Sequence, residues 1–332
     1  MGYNLSVSTV FFAFLFAVLP GQAAPDSPKI KALVAAEKAA GNDYMAIVRS
    51  DVRAARELKA MMDVDELKAG PDFLAASGLV MNLPGYEGRL LSHEWAMTAL
   101  FLGVPEAGKR VMLTWDRLQF DGGRYTRFGQ IKGMPDKQGV RPVLNPDPSG
   151  PPPIVGQILE GTAPAAGANN AELKSLMESD QKDRENVKTP EDWDRMSAND
   201  VPRRARVLAL LNDGKATSGA DLYNAALVLQ HGNGYRDYML AHELTLAAIA
   251  REYKEAAWLV SRTYDRMLQN GGHAQRYGTQ KTGGRDGNTF FVMDADLPGP
   301  SDTMRKLFRA ASRAETKKGL EEWLKSVDAP AG

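Results

Sequence analysis

The residues of this chain best equipped for acid–base or polar-ligand chemistry fall late in the sequence. His231 follows Gln230 and stands before Gly232-Asn233-Gly234, at a predicted helix end. Imidazole titrates near neutral pH, so a histidine beside a cleft could act as base or ligand. A cationic histidine at a helix C-terminus also has a purely structural use. Asp265-Arg266 follows, and then Gln275-Arg276-Tyr277-Gly278-Thr279-Gln280. Were these groups to converge, His231 would be a general base, Asp265 would orient it, and Tyr277 or Gln280 would stabilise developing charge. Gln230, Arg266, Gln275, Tyr277, Thr279 and Gln280 supply the hydrogen-bonding groups for a polar ligand, and Tyr277, Thr279 and Gln280 serve equally to complete hairpin hydrogen bonds. Neighbours on a helix point about 100° apart. Asp265 and Arg266 are therefore also readable as anchors of two different loops.

Other chemistry finds less support. His93 and His242 each precede a glutamate but lie on apolar helical stripes, where a hydrogen-bonded core histidine is the simpler reading. There are no cysteines, which excludes disulfides, thiolate metal sites and a cysteine nucleophile. His231 and His242 are separated by glycines and lack zinc-ligand spacing; Asp294, Asp296 and Asp302 miss the calcium-loop pattern. Gly214-Lys215 lacks the upstream glycine of a phosphate loop, and no Gly-x-Ser-x-Gly elbow occurs. No metal or cofactor is expected. Lys plus Arg and Asp plus Glu are 41 each, which gives no electrostatic footprint for nucleic acid.

The sequence also repeats itself. Displaced by 149 residues, Asp51 to Pro151 match Asp200 to Pro300 without a gap at 27 of 101 positions, against about 6 or 7 expected for unrelated stretches. His93-Glu94 falls on His242-Glu243, Asp116-Arg117 on Asp265-Arg266, and Arg127 and Gly129 on Arg276 and Gly278. At the chemically interesting positions the halves part: Met81-Asn82 stands opposite Gln230-His231, and Phe128-Gly129-Gln130-Ile131 opposite Tyr277-Gly278-Thr279-Gln280. Residues in both halves are best explained by a shared fold. Those confined to the second are the better site candidates.

The Gln-His pair, the Asp-Arg pair and the Tyr-Gly-Thr-Gln block resemble the signature of an uncharacterised, mainly bacterial family, the domain of unknown function family 6624. The resemblance covers roughly residues 173–324, and Tyr277-Gly278-Thr279-Gln280 about ten residues after Asp265-Arg266 is its most specific part. It implies no established activity. The first half then reads as a degenerate copy.

These residues must be carried by helices. Tyr235, Met239, His242, Leu246 and Ile249 recur at three- and four-residue steps, as do Tyr86, Leu90, His93, Met97 and Leu100. A second helix follows in each half, ended in the second by Gly271-Gly272. Gln275 to Gln280 with Thr289 to Asp294, and Tyr125 to Gln130 with Val140 to Leu144, suggest a β-hairpin in each half. The five tryptophans read as core or interhelical packing. The fold class expected is mainly α: two tandem helical-hairpin domains, each with a small β-hairpin.

Leu5 to Leu19 is an apolar run too short to span a bilayer, followed by small residues suited to cleavage after Ala23. The organisation expected is a signal peptide over residues 1–23, a first domain over 24–150, a Pro/Gly/Ala-rich linker over 151–170 and a second domain over 171–328. No later apolar stretch approaches twenty residues, so no span is expected after signal removal. The functional expectation is an exported, periplasmic or secreted module that binds a protein or cell-envelope ligand. The alternative is a hydrolase-type enzyme using His231.

Overall fold

A computed structural model describes residues 22–328, apart from 84, 137, 186, 281, 284–288 and 291–298. Residues 1–21 of the expected signal segment, residues 291–294 of the strand expected over Thr289 to Asp294, and Asp296 lie outside the described residues. The fold is mainly helical. Helices α1 (Pro28–Ala40), α2 (Tyr44–Asp63), α3 (Gly70–Val80), α4 (Tyr86–Phe101) and α5 (Ala107–Asp121) form the first half, followed by α6 (Pro153–Glu160). Helices α7 (Ala171–Glu185), α8 (Pro190–Asn212), α9 (Gly219–Leu229), α10 (Tyr235–Ala250) and α11 (Ala257–Asn270) form the second, followed by α12 (Asp302–Leu307) and α13 (Arg313–Asp328). None of the described helices is long and apolar enough to cross a membrane.

The boundaries of α3 and α4 recur at α9 and α10 with the 149-residue displacement that also separates His93 from His242. Local chemistry explains the starts and stops. Ser218 caps α9 and Thr189 caps α8 through reciprocal bonds with an aspartate three residues on, and Gly271-Gly272 ends α11, Gly272 with φ +81. In each half the central hairpin, α3 on α4 and α9 on α10, is buried almost throughout. The preceding helix pair covers it: α1 and α2 pack on α3, and α7 and α8 on α9. Across the halves α4 meets α10, and Leu74, Trp95 and Trp115 join Leu222, Leu244 and Tyr264 in one continuous core.

Three features differ from the sequence reading. The expected linker contains α6, whose Val155, Ile158 and Leu159 are buried between α5 and α10. Its prolines suit a helix start, with Pro153 where no backbone donor is needed. The expected strands at Tyr125–Gln130 and Gln275–Gln280 are loops. The N–H groups of Arg127, Phe128 and Gln130 bind the Asp116 carboxylate and those of Arg276, Tyr277 and Thr279 the Asp265 carboxylate, while Thr126 forms an isolated bridge with Pro146. Extended pairing among the described residues is limited to Thr282–Gly283 against Thr289–Phe290 and isolated bridges such as Lys132 to Val143. Finally, Trp193 is 59% exposed on α8, whereas Trp95 and Trp115 are fully buried.

Candidate functional site

His231 sits at the end of α9, just beyond its cap residue Gln230, with 16% of its side chain exposed. Its Nδ1 lies 3.0 Å from Oδ2 of Asp180, a fully buried carboxylate of α7. Arg184 Nη1 lies 2.8 Å from the other oxygen, Oδ1, without the alignment of a hydrogen bond. Arg184 in turn clamps Asp200 of α8 with two bonds of 3.2 and 2.7 Å, and Asp200 also receives Arg203 at 3.0 Å. Arg203 reaches Ser179 at 3.1 Å and pairs with Asp183. The imidazole therefore rests on a braced network of charges drawn from α7 and α8.

That setting fixes the state of the ring. Burial pushes the His231 pKa down, Asp180 pulls it up, and Arg184 and Arg266 push it down again; the net shift is downward. In the neutral ring Nδ1–H donates to Asp180, so Nε2 keeps its lone pair. Nε2 has no hydrogen-bond partner among the described residues. It is available as a proton acceptor on the exposed part of the ring. Arg266 on α11 supports the same corner, donating to the Gln230 carbonyl at 3.1 Å, while Arg204 donates to the His231 carbonyl at 3.2 Å. The buried Nε of Arg266 has no hydrogen-bond partner among the described residues. Tyr238 donates to the carbonyl of Gly232 at 2.7 Å, and a Cβ on Gly232 would lie 2.1 Å from Asp237, so only glycine fits beneath the ring's loop.

Asp265 does not orient His231. It is fully buried and accepts from the backbone N–H of Arg276, Tyr277 and Thr279 at 2.8, 3.0 and 2.9 Å, and from the Thr279 hydroxyl at 2.8 Å. Burial raises its pKa, and those bonds pull the other way. Gln275 and Gln280 close the same loop through bonds of 2.9 and 2.7 Å. Tyr277 is fully buried, its hydroxyl without a hydrogen-bond partner among the described residues and its ring against Tyr264 and Phe308. The Tyr-Gly-Thr-Gln block thus folds onto Asp265, while Arg266 points from the next position to the His231 corner. Of the candidate residues, the structure joins Gln230, His231 and Arg266 in one place, and Asp265, Gln275, Tyr277, Thr279 and Gln280 in another.

The first half fills the equivalent corner differently. Arg89 binds the carbonyl of Met81 and pairs with Asp121, to which Arg117 also donates at 3.0 Å. Asn82 stands there at the position that His231 holds in the second half.

The remaining shared residues line the seam between halves. Arg127 binds Glu243 at 2.7 and 2.9 Å, and Arg276 binds Glu94 at 2.5 and 3.0 Å. Arg124 stacks over Tyr235 and His273 over Tyr86, again across the seam. His93 and His242 meet at its centre, Nε2 to Nε2 at 3.4 Å.

Sequence reasoning missed Asp180 and Arg184. The available signal was register: Leu173, Leu176, Met177 and Asp180 follow helical spacing, which places a carboxylate on the face that carries Leu173 and Met177 inward. Comparison of the chain with protein-family models, curated proteins and solved structures finds no match.

Proposed function

We propose that this chain is an exported, internally duplicated helical binding module whose recognition centre is His231 in the second half. One observation carries the reading: a half-buried neutral imidazole is oriented through Nδ1 by buried Asp180, leaving Nε2 available beside Arg266. Such a centre suits a ligand that donates a hydrogen bond to Nε2 and carries negative charge toward the arginines. An acidic protein segment or an acidic envelope glycan has that chemistry. The duplication reading is supported by the 149-residue recurrence of helix boundaries and by the exchanged Arg–Glu pairs. In it the first half is a structural partner, its corner filled by Arg89, Asp121 and Arg117. The resemblance to family 6624 rests on its three motifs, and export on the apolar run and small residues before Ala24.

The oriented imidazole also favours a second reading, general-base catalysis, with Asp180 rather than Asp265 as the orienting group. None of three cavities of about 580, 410 and 500 Å³ is lined by His231, so the binding reading ranks first. The two are separated by titrating histidine-labelled protein with polyglutamate peptide and polygalacturonate, and by assaying p-nitrophenyl esters and phosphates. The binding reading expects saturable shifts of the His231 ring resonances and affinity about tenfold weaker in His231→Asn and Arg266→Gln, with melting temperature lowered by about 4 °C or less. Ester or phosphate turnover that vanishes in both His231→Asn and Asp180→Asn would establish the catalytic reading instead. Binding that survives both His231→Asn and Arg266→Gln unchanged would remove this corner from consideration.

A further inference from the structure

A cavity of about 580 Å³ opens at the seam between halves, where the end of α5 and the loop after it face the first turn of α10. Tyr235, Tyr125 and Met239 give it apolar walls, Arg124 and Arg236 give it positive charge, and its one carboxylate, Asp147, is already paired with Arg127 at 2.6 Å. Arg124 is the telling residue. Its guanidinium lies 4.4 Å from the Tyr235 ring centroid, with Nη2 donating to the Gly271 carbonyl at 2.8 Å. A Cβ on Gly122 or Gly271 would come within 2.7 Å of it, so two helix ends leave room for this group. Among the described residues Arg124 has no carboxylate partner, whereas Arg127 and Arg236 both face Asp147. A half-buried, pre-positioned guanidinium without a counter-charge is matched by an anion. Tyr235 is itself fixed, its hydroxyl donating to Gln119 Oε1 at 2.7 Å, while Tyr125 is a 50% exposed aromatic at the rim.

We propose that this cavity binds a small aromatic carboxylate, its carboxylate on Arg124 with Arg236 in support and its ring against Tyr235 and Tyr125. The volume lies within the range of small-molecule sites, and the few convergent polar groups on apolar walls are what such a ligand needs. Planar anions are held bidentately by guanidinium, and flat rings add contact with tyrosine faces. This site is separate from the His231 corner, so either can fail alone.

The test is calorimetry on the full chain with indole-3-acetate and its uncharged analogue indole-3-acetamide. The acid binds one-to-one and the amide at least about tenfold more weakly, since a charge-assisted bond is lost. Arg124→Gln weakens the acid by about tenfold, and Arg236→Gln and Tyr125→Ala by roughly threefold each. His231→Asn leaves its affinity unchanged. Arg236 and Tyr125 are exposed, so those two variants decide the matter even where Arg124→Gln does not fold. No saturable binding of the acid below about 5 mM, equal affinity for acid and amide, or wild-type affinity in Arg236→Gln and Tyr125→Ala would each overturn the site.

Discussion

His93 and His242 share too few protons to be equivalent. Each Nδ1 lies on a threonine hydroxyl, Thr114 at 2.9 Å and Thr263 at 3.0 Å, and each hydroxyl also reaches a backbone carbonyl at 2.9 Å. Burial pushes His93 well below the usual imidazole range and His242 down to about 3, so both rings are neutral. If both carried Nδ1–H, two lone pairs would face each other across 3.4 Å. One ring must instead donate from Nε2, and the threonine beside that ring turns its proton to Nδ1. Removing either hydroxyl selects one direction and is expected to cost about 1 kcal/mol. Thr114→Val with Thr263→Val leaves a buried donor without an acceptor, so the double variant should exceed the sum by about 1 kcal/mol or more. Additive losses in urea denaturation would show that the rings are not coupled.

The same burial sets a pH dependence. An unfolded histidine titrates near 6.5, so below that pH the unfolded chain binds protons that neutral His242 refuses. A depressed pKa gives stability present above 6.5 and lost as pH falls toward 3. Between pH 6.5 and 5 the loss is about 2 kcal/mol for one such ring. Asp51 acts oppositely: burial raises it to about 6, so its effect favours the fold on acidification. The comparison is therefore between wild type and His242→Gln, whose loss from pH 7 to 5 should be about 2 kcal/mol smaller. Identical losses would mean His242 is charged in the fold.

Among the elements, the loops after α5 and α11 owe their shape to one aspartate each. Asp265→Ala strands three backbone N–H groups and the Thr279 hydroxyl, and is expected to cost about 3–5 kcal/mol. Arg266→Gln removes one bond to the Gln230 carbonyl and should cost about 1 kcal/mol. Equal losses in chemical denaturation would contradict the separation of their roles. How far the sequence reveals this varies with the reach of each interaction. Helices α4, α10 and α11 were legible because their apolar period is local, and α11 also because its glycine stop is unambiguous. Divergence of Asp265 from Arg266 followed from helix geometry alone. Helix α6 was hidden by its prolines and glycines, although Val155, Ile158 and Leu159 carry the buried face. The supposed strands misled because a carboxylate eleven residues upstream of Arg276 takes the N–H groups a strand would present. His231 stood out by its absence from the first half, but its partner Asp180 lies 51 residues away on a helix that reads as a charged surface.

At the scale of the molecule, shared residues hold the halves together and unshared ones are left to differ. Arg127 with Glu243 and Arg276 with Glu94 cross the seam in opposite directions, as in an isologous dimer interface. The two crossings are nevertheless unequal. Arg127 also binds Asp147 at 2.6 Å, and Glu243 additionally accepts from Trp115 Nε1 at 2.9 Å. Arg276 is almost fully buried, and among the described residues its Nη1 and the hydroxyl of Tyr264, opposite Trp115 in the displaced alignment, have no hydrogen-bond partner. Neutralising Glu94 therefore removes the anionic group paired with Arg276, whereas neutralising Glu243 leaves Arg127 with Asp147. Glu94→Gln should cost about 4 kcal/mol and Glu243→Gln about 2 kcal/mol, because an uncompensated buried charge is the larger penalty. Since the core is continuous across the seam, both variants should lower one shared transition, with tryptophan fluorescence and helical circular dichroism coinciding. Two separated transitions would show that the halves stand independently, and a greater loss in Glu243→Gln than in Glu94→Gln would show that the uncompensated charge is not at Arg276.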